Sequence, residues 1–474
     1  MNTNMKQWKI ENLDSKSPSF CGAKWYNASI WLSQAWTTSC HHNPPHPIDI
    51  NAIKNNPSAL HNTPIKKRER QMMQRGEKPG NCQSCWVMED ASPDGLSDRT
   101  WLTWGGHMTG QQLQTAYDSS PDDDYDLTYL ELCFDRTCNL GCSYCAPAIS
   151  STWAKDIRTK GPYHDLPTDH RRHYISTNDD IVKYDFGDDN PYADAFFKWW
   201  DTGLHKTIKQ VRISGGEPMM SGHTWKLLDW LADNAGKADC RIEMTTNLAY
   251  DHDTLMRFLD KCNKISVPIW LYSSNETTNA KAEYIRDGLD WEAWNTNLDT
   301  VLSSGVIANT GLCATMSALA ADGFVDFLTW LLERKKLART QSGDPTYDLL
   351  LSVNPLRFPT FQSVIVLPDL LREQYSQGIQ DFLSNPDIVN YFNPIELDHI
   401  NRFATYLITV KDPHNETRIN NNTGVFDKTH GTTNINNLRQ DFKSFFTQYD
   451  HRRGKSLTQA FPQLAEWYNN IGTA

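Results

Sequence analysis

The chain has 474 residues, enough for about three average domains, although an α/β barrel takes up to about 250 residues as one unit. Its 46 Lys and Arg against 57 Asp and Glu leave a formal net charge of −11, which argues against a broad grip on nucleic-acid backbones or anionic membranes and leaves room only for a local basic groove. With 39% hydrophobic and 11% aromatic residues it is a globular chain with a sizeable core.

The N-terminus, "MNTNMKQWKIENLDSKS", has no apolar run of the kind a signal peptide needs, and the longest apolar stretches, such as "FVDFLTWLL" near residue 330, are short and interrupted by Asp326. The expectation is a cytoplasmic chain without a membrane span. Thiols stay reduced there, so the eleven cysteines point to metal binding or catalysis rather than to disulfides.

The first 115 residues are rich in cysteine: Cys21, a short hairpin-like segment, Cys40, a basic helix in "IKKRERQMMQR", then Cys82 and Cys85 as CxxC. From about residue 126 strands and helices alternate. "DLTYLELCF", "TIKQVRIS", "DCRIEMTT", "KISVPIWLY", "NTGLCATMS" and "YDLLLSVN" read as strands. Between them "TWKLLDWLADNA", "DTLMRFLDKC", "DWEAWNTNLDTVLSS" and "FVDFLTWLLERKK" carry apolar residues at three and four spacing and read as helices. Repeated β then α means parallel strands with right-handed crossovers. Six units over 116–360 predict an α/β fold, a partial (β/α)6 TIM-like barrel with its chemistry at the C-terminal strand ends. The stretch 150–206 is too long for a plain crossover and reads as an insertion over that rim. Residues 361–474 predict a C-terminal helical extension, interrupted at 414–437 by a polar, low-complexity loop. In it, Asp450, Arg452 and Arg453 read as a solvated helix end, with substrate contact as the alternative. Isolated Cys240, Cys262 and Cys313 lie in apolar or strand-like surroundings and read as small buried hydrophobes.

"CNLGCSYCAP" (138–147) follows the first of these strands and sets Cys138, Cys142 and Cys145 at spacings of three and then two intervening residues. Three thiols are one short of a closed zinc site. "GGEP" (215–218) follows the next strand, "TTN" (245–247) ends the third and "SSN" (273–275) the fourth, so four strand ends converge on one rim. Taken singly, the cysteines could be a partial zinc site completed by His164, and GGEP an ordinary turn. Cys133 is the one confusable ligand, and its place inside a strand reads as a buried thiol.

The pattern of Cys138, Cys142 and Cys145, with Tyr144 before the third cysteine, resembles the CxxxCxΦC signature of radical SAM enzymes, and GGEP is similar to that superfamily's second motif. The resemblance covers about 126–360 and implies that these three catalytic cysteines hold three irons of a [4Fe-4S] cluster whose fourth iron is open to S-adenosylmethionine (SAM). It further implies that Gly215, Gly216, Glu217 and Pro218 receive the methionine ammonium, that Tyr144 lies near the adenine, and that Thr246 and Asn247 contact ribose or carboxylate. Ser274 and Arg286, twelve residues apart, match a pair that binds the SAM carboxylate in peptide-modifying members; here the usual "SIDG" reads "SNET", so Ser273 is the alternative to Ser274.

The N-terminal stretch resembles the twitch and SPASM auxiliary-cluster modules, although in most relatives such a module follows the barrel. That resemblance implies a second [4Fe-4S] cluster on Cys21, Cys40, Cys82 and Cys85, for which spacing leaves a four-cysteine zinc site as the alternative. His41, His42 and His46 offer nitrogen ligands, but a proline-bounded solvent loop explains them more simply. The implied function is reductive cleavage of SAM to a 5′-deoxyadenosyl radical that abstracts hydrogen from a substrate, a peptide or protein first, fed by an electron donor such as flavodoxin or ferredoxin. The alternatives are modification of a nucleotide, tRNA base or small metabolite, and a non-catalytic binding protein stapled by metal.

Overall fold

Backbone pairing gathers all but two of the strands into one sheet. In chain order they are β1 (Asn27–Trp31), β2 (Trp36–Thr38), β3 (His46–Pro47), β4 (Tyr129–Cys133), β5 (Gly141–Cys142), β6 (Gln210–Ser214), β7 (Arg241–Thr246), β8 (Ile269–Ser274), β9 (Arg286–Asp287), β10 (Asn309–Met316) and β11 (Leu349–Pro355). The structure is a computed structural model; it describes residues 2–91, 95–168, 173–185, 187, 189–342, 348–410 and 434–472. The sheet runs β11-β10-β8-β7-β6-β4-β1-β2-β3, and β5 pairs with β9 apart from it.

Every step from β4 to β11 is parallel, as repeated strand-helix units require. The crossovers include helices Gly222–Asp233, His252–Cys262, Trp291–Ser303 and Ala318–Ser342, matching the predicted ones. Two start where an aspartate caps the chain: Asp251 accepts from the Thr254 N–H and Asp290 from that of Ala293. Strand residues alternate between two environments. Leu130, Leu132, Val211, Ile213, Ile242, Met244, Ile269 and Leu271 are buried in one core with the helices. Their neighbours Glu131, Arg212, Ser214, Thr245, Tyr272, Ser274, Cys313 and Thr315 are only partly buried, so the opposite face of the sheet is polar. Cys240 and Cys262 are buried as expected, whereas Cys313 lies on this polar face. Gly311 lets the Tyr272 ring lie across β10: a Cβ there would stand 2.7 Å from it.

The hairpin expected between Cys21 and Cys40 is present as antiparallel β1 and β2, but β1 also pairs in parallel with β4 over all five residues. The first 115 residues therefore contribute to two cores. Ala28, Ile30 and Leu32 join the main one, while Leu13, Phe20, Trp25, Met73, Trp86 and Leu113 form a second. The basic helix is Pro64–Gln74, begun by a Thr63 cap and proline at its first turn.

After β11 come helices Asp369–Leu383, Pro394–Thr409, Ile435–Arg453, Leu457–Ala460 and Ala465–Asn470. The polar stretch read as a loop at 414–437 lies outside the described residues up to 433. Among the described residues no helix is long and apolar enough to cross a membrane. The extension is tied to the sheet by Glu396, which caps its own helix, accepts from the Leu351 N–H of β11 at 2.7 Å and meets buried Lys335 at 2.9 Å. Lys335→Ala strands that carboxylate without its cation and should cost about 3–5 kcal/mol, read as a lower urea midpoint with unchanged slope.

Candidate functional site

Between β4 and the helix Ser151–Lys160, the loop carrying Cys138, Cys142 and Cys145 is held from several directions. β5 pairs with β9 so that Cys142 stands opposite Arg286, and the Ser143 N–H donates to Ile285 O at 2.7 Å. Side chains then occupy the loop's carbonyls. Trp153 Nε1 donates to Cys142 O at 2.9 Å, Tyr174 Oη and Gln362 Nε2 donate to Ser143 O at 2.8 and 2.9 Å, and Tyr449 Oη donates to Gly141 O at 3.3 Å. The stretch read as an insertion and the C-terminal extension thus both hold this loop. Arg453, expected at a solvated helix end, instead has its side chain packed over the rings of Trp153 and Tyr449, with its cation 3.1 Å from Asp287. Asp450 likewise accepts from Tyr284 Oη at 2.6 Å and from the Leu457 N–H at 2.8 Å. These charges are struts.

A cavity of about 250 Å³ opens beside the loop. Its walls bring together Cys138, Cys142, Tyr144, Cys145, Gly215, Gly216, Thr246, Asn247, Ser274 and Arg286, drawn from four strand ends and two loops. Ser273 faces away and accepts from Trp294 Nε1 at 3.0 Å. Cys133 is buried beside Asp135 O, and His164 lines a different groove with Lys160 and Arg452.

Glu217 and Pro218 are buried and do not line the cavity. The Glu217 carboxylate accepts from the Met219 N–H at 3.2 Å and the Asn247 N–H at 2.6 Å, tying the ends of β6 and β7 together. Burial outweighs those donors and pushes its pKa up to about 7. The two glycines answer to the chain beside them. Gly215 has φ +125°, and a Cβ on Gly216 would lie 2.3 Å from Thr137 O, because this segment runs against the one leading to Cys138.

Arg286 is buried and pairs with fully buried Glu276 at 2.5 Å. Its Nη1 is 3.7 Å from the Cys142 sulfur, and its Nε has no partner. Glu276 also accepts from Tyr144 Oη at 3.1 Å. Sequence reasoning missed Glu276, one residue beyond the polar end of β8, and missed Ser214, Thr245 and Thr315 on the cavity wall. The last three could have been found by counting in twos along the strands from the motif residues.

Cys21, Cys40, Cys82 and Cys85 converge on a second cavity that also contains Lys24, His42, Asn43 and Asp98. Buried Lys24 meets Glu69 at 2.6 Å. Burial opposes its charge, yet Cys82 and Glu69 hold its pKa above the ordinary lysine value. His42 bonds Asp98, His41 lies 3.3 Å from the same carboxylate oxygen, and His46 bonds Thr63 Oγ1 at 2.8 Å.

Burial pushes the thiols up in both places, to about 12 at Cys138 and Cys85 and about 11 at Cys82, so a metal would have to displace their protons. Among the described residues, only His41, His42 and Asp98 bring three such ligand atoms within 4.8 Å of one another. No three thiols in either cavity are that close. Zinc bonds of about 2.3 Å would draw tetrahedral sulfurs to about 3.8 Å. A cluster with a separate iron behind each thiolate spaces them more widely.

No family model and no curated protein matches the chain. Among solved structures, native anSMEcpe with bound AdoMet and Cp18Cys peptide aligns with 72% of this chain and 99% of its own, at 11% identity and a TM-score of 0.28. A hexahistidine-tagged anSMEcpe with bound AdoMet covers the same shares at 13% and 0.31, and native anSMEcpe with AdoMet and Kp18Cys peptide at 11% and 0.27. Overlaps this loose leave fold and function to rest on the residues.

Removing one charge of the Arg286–Glu276 pair should be worse than removing both. Glu276→Gln in the metal-free chain should cost about 3–5 kcal/mol, and adding Arg286→Met should recover much of that loss in urea unfolding.

Proposed function

We propose that the chain is a radical SAM enzyme, and that the polar sheet face is the lumen of a partial (β/α)6 barrel spanning 116–360. The observation that carries this reading is the single cavity in which three widely spaced thiols face Arg286 and four polar strand ends. Curvature of the sheet is supported by the cavity itself: Ser214 of β6 and Thr315 of β10 line it together, although three strand spacings in a flat sheet would be about 14 Å.

Cys138, Cys142 and Cys145 would hold three irons of a [4Fe-4S] cluster. With SAM on its open iron, such a cluster supplies one-electron cleavage to a 5′-deoxyadenosyl radical. The rest falls to the chain. Arg286, which lines the cavity and is held in position by Glu276, is placed to receive the methionine carboxylate. The backbone of Gly215 and Gly216 stands at the wall for the ammonium, and Glu217 acts from behind by tying Asn247 to that segment. Ser274 would join Arg286 at the carboxylate, and Tyr144, Thr246 and Asn247 would line the nucleoside. The packed Trp153, Tyr163, Tyr174 and Phe445 rings exclude water beneath the loop.

For the N-terminal 1–115 segment we propose a second [4Fe-4S] cluster on Cys21, Cys40, Cys82 and Cys85, which converge on one cavity, with a four-cysteine zinc site as the alternative. The extension 361–474 acts as a buttress. The proposed substrate is a peptide or protein, with an electron donor of the flavodoxin or ferredoxin type. A metal-stapled binding protein is disfavoured, because a structural site has no use for a polar wall with a buried arginine.

Anaerobically reconstituted protein with a strong reductant should convert SAM to methionine and 5′-deoxyadenosine. A Cys138, Cys142 and Cys145 triple Ala variant that kept the full cleavage rate would overturn the assignment. Iron content separates the two cavities. The intact chain should carry about eight irons, and the variant lacking Cys21, Cys40, Cys82 and Cys85 about four. Zinc in the N-terminal cavity predicts about four irons plus one zinc, with only the zinc lost.

A further inference from the structure

Below the cavity, the polar sheet face continues one layer deeper. Counting back two residues from Ser214, Thr245, Ser274 and Thr315 gives Arg212, Glu243, Tyr272 and Cys313, with Glu131 beside Arg212 in register. A packed α/β barrel fills such positions with branched apolar side chains. Here they are charged, phenolic or thiol-bearing, and all but Glu243 are only partly buried.

The charges in this layer do not simply cancel. Glu243 is taken by Arg241 at 2.8 Å, and Arg241 lies over the Trp270 ring at 4.0 Å, closing the deep end. Glu131 accepts from Ser29 Oγ at 3.0 Å and Ser214 Oγ at 3.3 Å. Arg212 has a buried Nε without a partner, and among the described residues no carboxylate stands at ion-pair distance from it. Burial opposes its charge, but the Glu131 and Glu243 carboxylates nearby favour it. A planar cation is thus held with open donors one layer below the cavity.

We propose that Arg212 is the anchor for a substrate carboxylate, so that the molecule acted on carries a carboxyl group, as an acidic side chain or a peptide C-terminus, bound across the polar sheet face with its reacting carbon toward Ser214 and Thr245. The guanidinium fork matches a carboxylate with two parallel N–H bonds. Glu131 and Glu243 beside it disfavour a dianion such as a phosphate monoester. Tyr272 supplies an aromatic wall, positioned by the absence of a side chain at Gly311. This inference deepens the radical SAM reading and rests on it for the direction in which the substrate points.

The test uses the reconstituted protein saturated with SAM, so that Arg286 is occupied, titrated calorimetrically with glutarate, its uncharged counterpart glutaramide, and inorganic phosphate. Glutarate should bind at least tenfold more tightly than glutaramide or phosphate, and Arg212→Gln should weaken it about 10- to 100-fold, the worth of a charge-assisted bond. Arg212→Lys should retain an intermediate affinity. Iron content measured on the same samples should not change in either variant, and absence of iron or of SAM cleavage in the wild type would reject the radical SAM reading separately. No glutarate binding to the wild type, equal binding of glutaramide, a preference for phosphate, or unchanged affinity in Arg212→Gln would each overturn the anchor.

Discussion

The buried ion pair between Arg286 and Glu276 is the contact on which the rest of the site depends. A guanidinium and a carboxylate taken out of water are tolerable only if each remaining donor and acceptor is used. Glu276 meets this by also accepting from Tyr144 and, at 3.5 Å, from the Thr315 N–H. Arg286 does so through the short β5–β9 pairing that puts it against Cys142. One pair therefore joins the cysteine loop, the end of β8, the start of β9 and the end of β10. Arg286 also lines the cavity, so the pair sets part of its wall.

Such a loop cannot hold its own shape. It is too short for regular structure, and its carbonyls would be costly to leave buried and unpaired. The chain answers with side chains from distant segments: Trp153 and Tyr174 from the stretch after the motif, Gln362 from just beyond β11, Tyr449 from the last long helix. Arg453 stacks on two of these rings and pairs with Asp287 of β9, which closes the circle back to Arg286. The C-terminal extension is thereby part of the site's scaffold, although none of its described residues lines the cavity.

What the sequence displayed was periodic or tightly spaced. The six parallel strands and their helices follow from alternating apolar patterns, and the meeting of Cys138, Cys142, Cys145 and Gly215 on one wall follows from motifs placed at strand ends. Two kinds of information were not local. The addition of β1 to the edge of β4 is a pairing between segments about a hundred residues apart, and nothing in "NASIW" marks its partner. The struts are also invisible in sequence, because a charged helix end such as Asp450 to Arg453 looks the same whether it meets water or a buried tyrosine. Glu217 belongs with them: its carboxylate reads as a ligand group by motif, while its contacts make it a tie between two strand ends.

The pairing of β1 with β4 also fixes how the two cysteine cavities relate. Cys21 precedes β1, and Cys40 follows β2, which runs back toward the same end because Thr38 stands opposite Ser29. Cys138 follows β4, which is parallel to β1, so its cavity lies at the other end of the strands. Five residues of strand span about 16 Å, which is too far for the cavities to share a ligand. The polar face of Glu131, Arg212 and Glu243 occupies the interval. A molecule anchored by its carboxylate at Arg212 would present its other end to Cys138, Cys142 and Cys145, while Arg241 over the Trp270 ring closes the face toward the N-terminal ends of the strands. The added strand is what sets that spacing, since it fixes the N-terminal segment to the sheet in register instead of leaving it on a linker.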